Sequence, residues 1–343
     1  MRLFALILVV LLASWTLPWA SGKNNYAIYF SHPHIILCLG SQLDCSIYNS
    51  NKAIIQSLPF RVDINPSVNL SGSSYVRVDY GGRVTDLTLT MVDSIPTSIF
   101  CLDSLKSLTI QYGTSLTIPP EIARLRSYLT SLSLIKISSS LTLPSELFNL
   151  TNLVSLSIIS CGLETLPDAI SQLSALNELD LTGNRLTSIP VTLAQIFLLR
   201  TLVLNANPGL TSLDNLQGTQ FLWNLNASNC FIDHLPMNVS NTGVIELNGN
   251  QLTSLANLET IISDITTVIS LKNNNITVLP TTIRKATKLE ILDLSNNQLT
   301  ELPEVVYSLS ALKTLILSKN SFSRLEIEWI QGRFRTMSAV VIL

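Results

Sequence analysis

The chain has 343 residues, of which 47% are hydrophobic and only 13% are charged, and its formal net charge is −2. Globular domains usually carry about 25% charged residues, and here Ser, Thr and Asn fill the deficit. Without a basic excess, nucleic acid and anionic membrane surfaces are poor partners for this chain. The composition instead predicts many short segments that each bury aliphatic side chains and expose small neutral polar ones.

The N-terminus has the form of a secretory signal peptide over residues 1–22. Arg2 supplies a positive charge, residues 3–13 are apolar without interruption, and Ala20 and Gly22 are small residues ahead of a cleavage site before Lys23. The apolar run is shorter than the ~20 residues that a membrane-spanning helix needs. We therefore expect a secreted, extracellular mature chain that does not insert stably into a membrane.

Two of the five cysteines, Cys38 and Cys45, lie close together in the N-terminal part of the chain. In an oxidising compartment we expect them to form a disulfide. A metal site that also uses His32 and His34 is the less favoured alternative, because the spacing fits no common zinc pattern. The sequence indicates no cofactor.

An internal repeat determines the predicted architecture. The segment LNELDLTGNRLTSIP from Leu176 recurs as LEILDLSNNQLTELP from Leu289 and as LVSLSIISCGLETLP from Leu153. Spacings of 20 to 24 residues separate eleven such segments, which begin at Val84, Leu105, Leu129, Leu153, Leu176, Leu199, Leu222, Thr242, Thr266, Leu289 and Leu312. A nearly constant period of this length is the signature of a solenoid. Over residues 84–343 the chain resembles the leucine-rich-repeat family.

Each half of the repeat predicts one structural element. The L-x-x-L-x-L half predicts a short strand, in which Leu179 and Leu181 point to the same side, the interior. The second half has apolar residues three apart after a proline, which predicts one or two helical turns. Strands stack about 4.8 Å apart and helices about 10 Å apart. We therefore expect an α/β repeat solenoid, a curved leucine-rich-repeat horseshoe with a parallel sheet on its concave face.

Two repeats depart from the proline form on the convex side. Repeats six and eight read LTSLDNL (210–216) and LTSLANL (252–258) there, which predicts extended or 3₁₀ backbone.

An asparagine follows the strand in most repeats from the fifth onward. Its amide is expected to hydrogen-bond backbone groups of neighbouring turns, and the residues concerned are Asn184, Asn207, Asn250, Asn274, Asn297 and Asn320. Cys161 and Cys230 hold this position in repeats four and seven, where we expect buried thiols. Val92, Gly113 and Ile137 hold it in the first three repeats. The ladder of asparagines is therefore predicted to begin around repeat four.

The two ends of the chain lack the repeat. Residues 23–83 are expected to form an N-terminal cap that covers the apolar edge of the first repeat, with a small independent module as the alternative. Residues 337–343 fit the strand of a twelfth repeat. The repeat domain is thus predicted to span residues 84–343.

The strand positions that point away from the interior form the predicted binding surface. Trp and Arg are enriched among residues that anchor interfaces, so Trp223 with Arg200 and Asn224 is the leading candidate. The alternative for Trp223 is that it merely covers neighbouring strand residues. The full predicted set is Trp223, Arg200, Asn224, Asn226, Asp180, Glu246 and Tyr112.

Asn-x-Ser/Thr sequons add possible glycosylation sites at Asn69, Asn149, Asn226, Asn238 and Asn275. A glycan on Asn226 would block the middle of the concave face and count heavily against Trp223 as an anchor.

The function predicted from these features is recognition rather than catalysis. The sequence has no phosphate-binding loop, no G-x-S-x-G and no H-E-x-x-H. We expect a secreted module, not an enzyme, that binds a protein, peptide or glycan on the concave face. A structural component of the extracellular matrix and the truncated ectodomain of a leucine-rich-repeat receptor are the alternatives.

Overall fold

The computed structural model describes residues 43–65, 72–335 and 339–343. The chain divides into two compact units, Met1–Asp44 and Cys45–Leu343. The predicted signal peptide, the two histidines His32 and His34, Cys38 and the sequon at Asn69 all lie outside the described residues. The unit Cys45–Leu343 contains every strand that the described residues form.

Within this unit the described residues form one 14-stranded sheet whose strands follow one another in chain order. Neighbouring strands are parallel, except that β2 and β3 are antiparallel. The strands are β1 (Val62–Ile64), β2 (Ser74–Val78), β3 (Val84–Thr90), β4 (Ser107–Gln111), β5 (Ser131–Ile135), β6 (Ser155–Ile159), β7 (Glu178–Asp180), β8 (Thr201–Val203), β9 (Asn224–Asn226), β10 (Val244–Glu246), β11 (Val268–Ser270), β12 (Ile291–Asp293), β13 (Thr314–Ile316) and β14 (Val340–Ile342). This is the open curved solenoid that the repeat predicts.

The interior is built from aliphatic side chains that stack from strand to strand. One row of them is at most 1% exposed and consists of Leu87, Leu108, Leu132, Leu156, Leu179, Leu202, Leu225, Ile245, Ile269, Leu292 and Leu315. Each burial of this kind stabilises the fold by roughly 1.5–3 kcal/mol. Because one repeat cannot cover its own apolar side, the repeats are stable only when stacked.

The convex side consists of short 3₁₀ segments rather than α-helices. They are Thr97–Cys101, Pro120–Ser127, Ser145–Asn149, Asp168–Gln172, Val191–Gln195, Asp214–Leu216, Leu258–Thr260, Thr281–Lys285 and Glu304–Ser308. A proline precedes the first residue of most of them, for example Pro167 at φ −66°, and its ring fixes that backbone angle. Repeats six and eight, for which extended or 3₁₀ backbone was predicted, have 3₁₀ segments of three residues. They differ from most of the other repeats in the length of the segment and not in its type.

The predicted asparagine ladder is present. Asn274 shows its geometry: Oδ1 accepts from the Leu252 N–H at 3.1 Å, and Nδ2 donates to the carbonyls of Leu247 at 2.9 Å and Leu271 at 3.0 Å. One amide thus joins two successive repeats. Asn184, Asn207, Asn250, Asn297 and Asn320 make the same contacts.

Cysteine replaces the ladder asparagine in repeats four and seven, as predicted. The Cys161 thiol donates to the carbonyls of Leu134 and Ile159, and the Cys230 thiol donates to that of Leu204. Burial raises the pKa of both thiols, which keeps them protonated as donors. The regular ladder therefore begins at repeat four with a thiol, and its first asparagine lies in repeat five.

The N-terminal part of the unit extends the sheet rather than forming a separate layer. Helix α1 (Asn51–Gln56) begins after Ser50, whose Oγ accepts from the Ala53 N–H at 3.2 Å. Strand β2 then pairs antiparallel with β3, the first strand of the repeats.

The disulfide predicted between Cys38 and Cys45 is wrong, because Cys45 is bonded to Cys101. The Cα atoms of this pair are 5.4 Å apart although 56 residues separate them in sequence. Helix α1 lies against the 3₁₀ segment Thr97–Cys101, which brings Cys45 next to the end of that segment. Sequence proximity suggested the wrong partner because this packing cannot be read from local spacing.

The C-terminal part contains a helix that the repeat pattern did not predict. Helix α2 (Arg324–Phe334) begins after Ser323, whose Oγ accepts from the Glu326 N–H at 3.1 Å. Its Phe334 ring packs on Tyr307 with centroids 5.2 Å apart. The chain then returns to the sheet as β14, in register with β13.

We predict that the disulfide can be mapped by proteolysis without reduction. Cleavage both between residues 38 and 45 and between residues 45 and 101 should yield a fragment containing Cys45 that remains linked to one containing Cys101 until the disulfide is reduced. The Cys45→Ser and Cys101→Ser variants should each lose about 4 kcal/mol of unfolding free energy, because the bond closes a long loop. A link between Cys38 and Cys45 would contradict the structure.

Candidate functional site

Two rows of side chains cover the concave face of the sheet, and the strand register aligns both. The first row consists of Asp86, Ser107, Ser131, Ser155, Glu178, Thr201, Asn224, Val244, Val268, Ile291 and Thr314. The second row consists of Thr88, Thr109, Ser133, Ser157, Asp180, Val203, Asn226, Glu246, Ser270, Asp293 and Ile316. Within a row, neighbouring residues are about 4.8 Å apart. The positions predicted to point away from the interior thus form one continuous surface.

The chemistry of these rows changes along the sheet. From β4 to β6 both rows contain only hydroxyl side chains, whereas β7 to β12 carry four carboxylates and several aliphatic residues. The aliphatic residues of the first row are Val244, Val268 and Ile291, which are directly paired across β10, β11 and β12. This apolar stripe was not predicted. It could have been found in the sequence by comparing the first-row residue of each repeat with that of the next repeat.

Trp223 borders the apolar stripe immediately before β9. A Cβ built on Gly243 would come within 2.7 Å of the Trp223 ring, so the ring lies directly on the Gly243 backbone. The side chain is nevertheless 45% exposed. Trp223 therefore covers a neighbouring strand and also presents a large aromatic surface to solvent, and its role as a ligand anchor stays a prediction.

Arg200 is held by backbone groups. Its Nη1 donates to the carbonyls of Phe197 at 3.2 Å and Phe221 at 3.3 Å. Its guanidinium also lies 5.1 Å from the centre of the Phe221 ring. The structure thus uses Arg200 to join the turns ahead of β8 and β9, in which Phe197 and Phe221 are exposed.

Asn224, Asn226 and Glu246 lie together beside Trp223, on β9 and β10. Asn226 Nδ2 donates to Glu246 Oε2 at 2.8 Å, and its Oδ1 accepts from the Ser228 N–H at 3.0 Å. The buried Oδ1 of Asn224 has no hydrogen-bond partner within the described residues. Such an acceptor is costly unless a ligand or water satisfies it.

Asp180 belongs to the same surface, and Tyr112 does not. Asp180 lies on β7, two strands from Trp223, and its Oδ1 accepts from the Thr182 N–H at 2.9 Å. Tyr112 follows β4, five strands away from β9, and lies near Lys136, whose Nζ is 6.0 Å from the ring centre. A spacing of about 4.8 Å per strand puts Tyr112 roughly 24 Å from the Trp223 region.

The described residues include one histidine, His234, which lies in a loop outside the two rows. His234 Nε2 lies 3.0 Å from Asp214 Oδ2, and its Nδ1 contacts Asp233. The Asp214 contact, followed by the Asp233 contact, raises the pKa of His234.

Among residues 43–65, 72–335 and 339–343, no three His, Cys, Asp or Glu side chains are grouped to hold a metal ion. Nor does any helix in these ranges have the length and apolarity to cross a membrane.

The sequons differ in accessibility. The side chains of Asn149, Asn238 and Asn275 are exposed, and Asn226 is partly buried in β9.

Comparisons with known proteins agree with the fold. Models of the leucine-rich repeat match residues 175–196 and 266–322. A leucine-rich-repeat protein of Leptospira interrogans is 26% identical, with a TM-score of 0.51 over 74% of this chain and 82% of its own. None of the curated proteins is similar enough in sequence to count as a match.

Two plant receptor ectodomains, both solved in complex with a ligand, are also similar. That of Arabidopsis thaliana GASSHO1/SCHENGEN3, in complex with Casparian strip integrity factor 2, is 28% identical with a TM-score of 0.59 over 72% of this chain. That of Arabidopsis HAESA, in complex with an IDA peptide hormone lengthened at its N-terminus, is 26% identical with a TM-score of 0.56 over 72% of this chain. The chain spans 31% and 42% of these two structures. The chain thus contains leucine-rich repeats and has the fold of leucine-rich-repeat proteins.

We predict that Gly243→Ala displaces the Trp223 ring, because the added methyl group has no room beneath it. In a single-tryptophan variant with Trp15, Trp19 and Trp329 changed to Phe, the emission of Trp223 should shift to longer wavelength. Acrylamide should also quench it more strongly.

Gly332→Ala is the matched control, since a Cβ there meets no atom within 4 Å. Unchanged emission of Trp223 in Gly243→Ala would contradict the stacking of this ring on β10.

Proposed function

We propose that the chain is a secreted recognition module that binds a protein or peptide ligand across the concave face of its sheet. The observation that carries this proposal is the pair of aligned rows, in which a stripe of aliphatic side chains lies beside fixed polar groups and the exposed Trp223. The stripe is exposed at Ile291 and half-buried at Val244 and Val268. Aromatic residues at the centre of a surface with a polar surround are typical of binding anchors. No catalytic role is proposed for any residue.

The strongest support for a peptide ligand comes from similarity to receptors. The two plant ectodomains described above were solved with peptide or protein ligands, and solenoids of this kind generally bind on their concave surface. A row of residues about 4.8 Å apart over many strands suits an extended ligand. A compact small molecule would instead require an enclosed pocket.

Secretion is part of the proposal and has two supports. Residues 1–22 have the pattern of a signal peptide, and a disulfide between Cys45 and Cys101 suits an oxidising compartment. Glycosylation at exposed Asn149, Asn238 and Asn275 would follow from the same route. Glycan modification of Asn226 would count against ligand binding beside Trp223.

The test selects ligands for the whole chain, purified after secretory expression, from a displayed library of random 12-residue peptides. Affinities of enriched peptides are then measured for the unmodified chain, for Trp223→Ala and for Ile291→Ser. We expect each substitution to weaken binding about tenfold or more, because both side chains would be covered by the ligand.

Two matched controls lie away from the concave face. Trp329 on α2 is 54% exposed, and Val191 on the convex side is also exposed. Trp329→Ala and Val191→Ser should leave the affinity within about twofold. Loss of binding in the controls, with the concave variants unchanged, would refute binding through this face. It would favour an assembly role that uses the ends or the convex side.

A further inference from the structure

The carboxylates of the concave rows are not balanced by cations of the same rows. From β7 to β12 the two rows contain Glu178, Asp180, Glu246 and Asp293, and neither row contains Lys or Arg. This differs from the chain as a whole, in which 21 basic residues face 23 acidic ones. Negative charge is therefore concentrated on the face that the proposed function uses.

Neutral donors hold three of these carboxylates in place. Asp293 Oδ1 accepts from the N–H and the hydroxyl of Ser295, at 2.9 and 2.7 Å. Asp180 is held in the same way by Thr182, and Glu246 is held by the amide of Asn226. These side chains are thus ordered before a ligand binds, and no cation among the described residues compensates their charge. Their order lowers the conformational entropy that is lost on binding.

Other surface carboxylates of the chain do have cationic partners. Glu290, directly before β12, lies 2.8 Å from Lys313 Nζ, and Asp79 lies 2.9 Å from Arg83 Nη2. Among the described residues, no ion pair involves Glu178, Asp180, Glu246 or Asp293. Of the cations beside the rows, Lys313 pairs with Glu290 and Arg200 contacts carbonyls, whereas exposed Lys272 after β11 forms no ion pair among the described residues.

The acidic groups lie beside the apolar stripe rather than within it. Asp180, Glu246 and Asp293 belong to the second row, whereas Val244, Val268 and Ile291 belong to the first, two residues earlier on their strands. An extended peptide laid across the strands presents alternate side chains to opposite sides. One side would meet aliphatic groups and Trp223, and the other would meet carboxylates.

From this arrangement we propose that the ligand of the concave face is a cationic peptide segment, bound in an extended conformation. Its Lys or Arg side chains contact Asp180, Glu246 and Asp293, and its aliphatic or aromatic side chains lie on the apolar stripe. This inference rests on the proposed function and specifies the class of its ligand. A neutral glycan would leave the carboxylates without a counter-charge.

Strand spacing sets the pattern of the peptide. Asp180 and Glu246 are three strands apart, about 14 Å, and Glu246 and Asp293 are two strands apart, about 10 Å. An extended peptide rises about 3.3 Å per residue. Side chains on one side of an extended peptide recur at every second residue, so its basic residues should be about four positions apart for the first pair and about two or four for the second, with apolar residues at the positions between them.

The test uses the peptides enriched on the whole chain from the random library. The triple variant Asp180→Asn, Glu246→Gln, Asp293→Asn keeps the size of each side chain and removes three charges. We expect enriched peptides to contain Lys or Arg at the stated spacing and to bind the triple variant about tenfold more weakly or worse. Raising NaCl from 50 to 300 mM should weaken the binding of these peptides to the unmodified chain and have little effect on their binding to the triple variant.

A second triple variant, Asp103→Asn, Glu164→Gln, Glu301→Gln, is the control. It changes the net charge equally at exposed positions outside the two rows, and its affinity should match that of the unmodified chain. Equal losses in both triple variants would show only a general charge effect and would overturn the inference.

The outcomes separate this inference from the proposed function. Enriched peptides without basic residues that still require Trp223 and Ile291 would refute the cationic ligand and leave concave binding intact. If every concave substitution left the peptide affinity unchanged, or if no peptide were enriched, both the cationic ligand and concave binding would be refuted.

Discussion

The structure depends on the hydrogen bonds that the ladder asparagines make between successive repeats. Each strand of the repeats from β7 onward is only three residues long. The backbone hydrogen bonds between such short strands do little by themselves to fix the position of one repeat on the next. The turn that follows each strand would leave buried N–H and carbonyl groups unpaired, at a cost of about 1–3 kcal/mol for each such group. Asn184, Asn207, Asn250 and their equivalents satisfy these groups and so fix the position of one repeat on the next.

The concave rows follow from that constraint. Because each turn is positioned against its neighbour, the two outward positions of every strand come into register with those of the next one. The ladder cannot specify which side chains stand there, so these positions are free to vary in chemistry. In this chain they change from hydroxyl groups on β4–β6 to carboxylates and aliphatic groups on β7–β12. The proposed recognition of a cationic, extended peptide uses the second part.

The repeat itself was predictable because it is encoded locally. The periods of leucine, asparagine and proline predict the strands, the ladder and the helical turns without reference to distant residues. The 3₁₀ form of the turns in the proline repeats was not predicted. The disulfide was not predictable in this way, since Cys45 and Cys101 meet only through the packing of α1. Helix α2 was missed because Arg324–Phe334 departs from the repeat frame on which the prediction relied.

The candidate site was only partly predictable for a related reason. The repeat frame located Trp223, Asn226 and Glu246 on adjacent strands, but it could not show that Arg200 is bound to backbone carbonyls. Nor could it show that Trp223 rests on Gly243, which follows from the side-chain packing of two neighbouring repeats. The position of a residue in the repeat predicts whether its side chain points to the interior or to the concave face. Whether that side chain is free to contact a ligand depends on its contacts with neighbouring repeats.

The most direct test of this account measures the free energy of unfolding of Asn274→Ala by urea denaturation. The substitution leaves the Leu252 N–H and the carbonyls of Leu247 and Leu271 without their amide partner, so a loss of about 2 kcal/mol or more is expected. The exposed neighbour Asn275 is the control, and Asn275→Ala should change the value by less than about 0.5 kcal/mol. Equal, small effects of the two substitutions would contradict the claim that the asparagine ladder holds the concave surface in register.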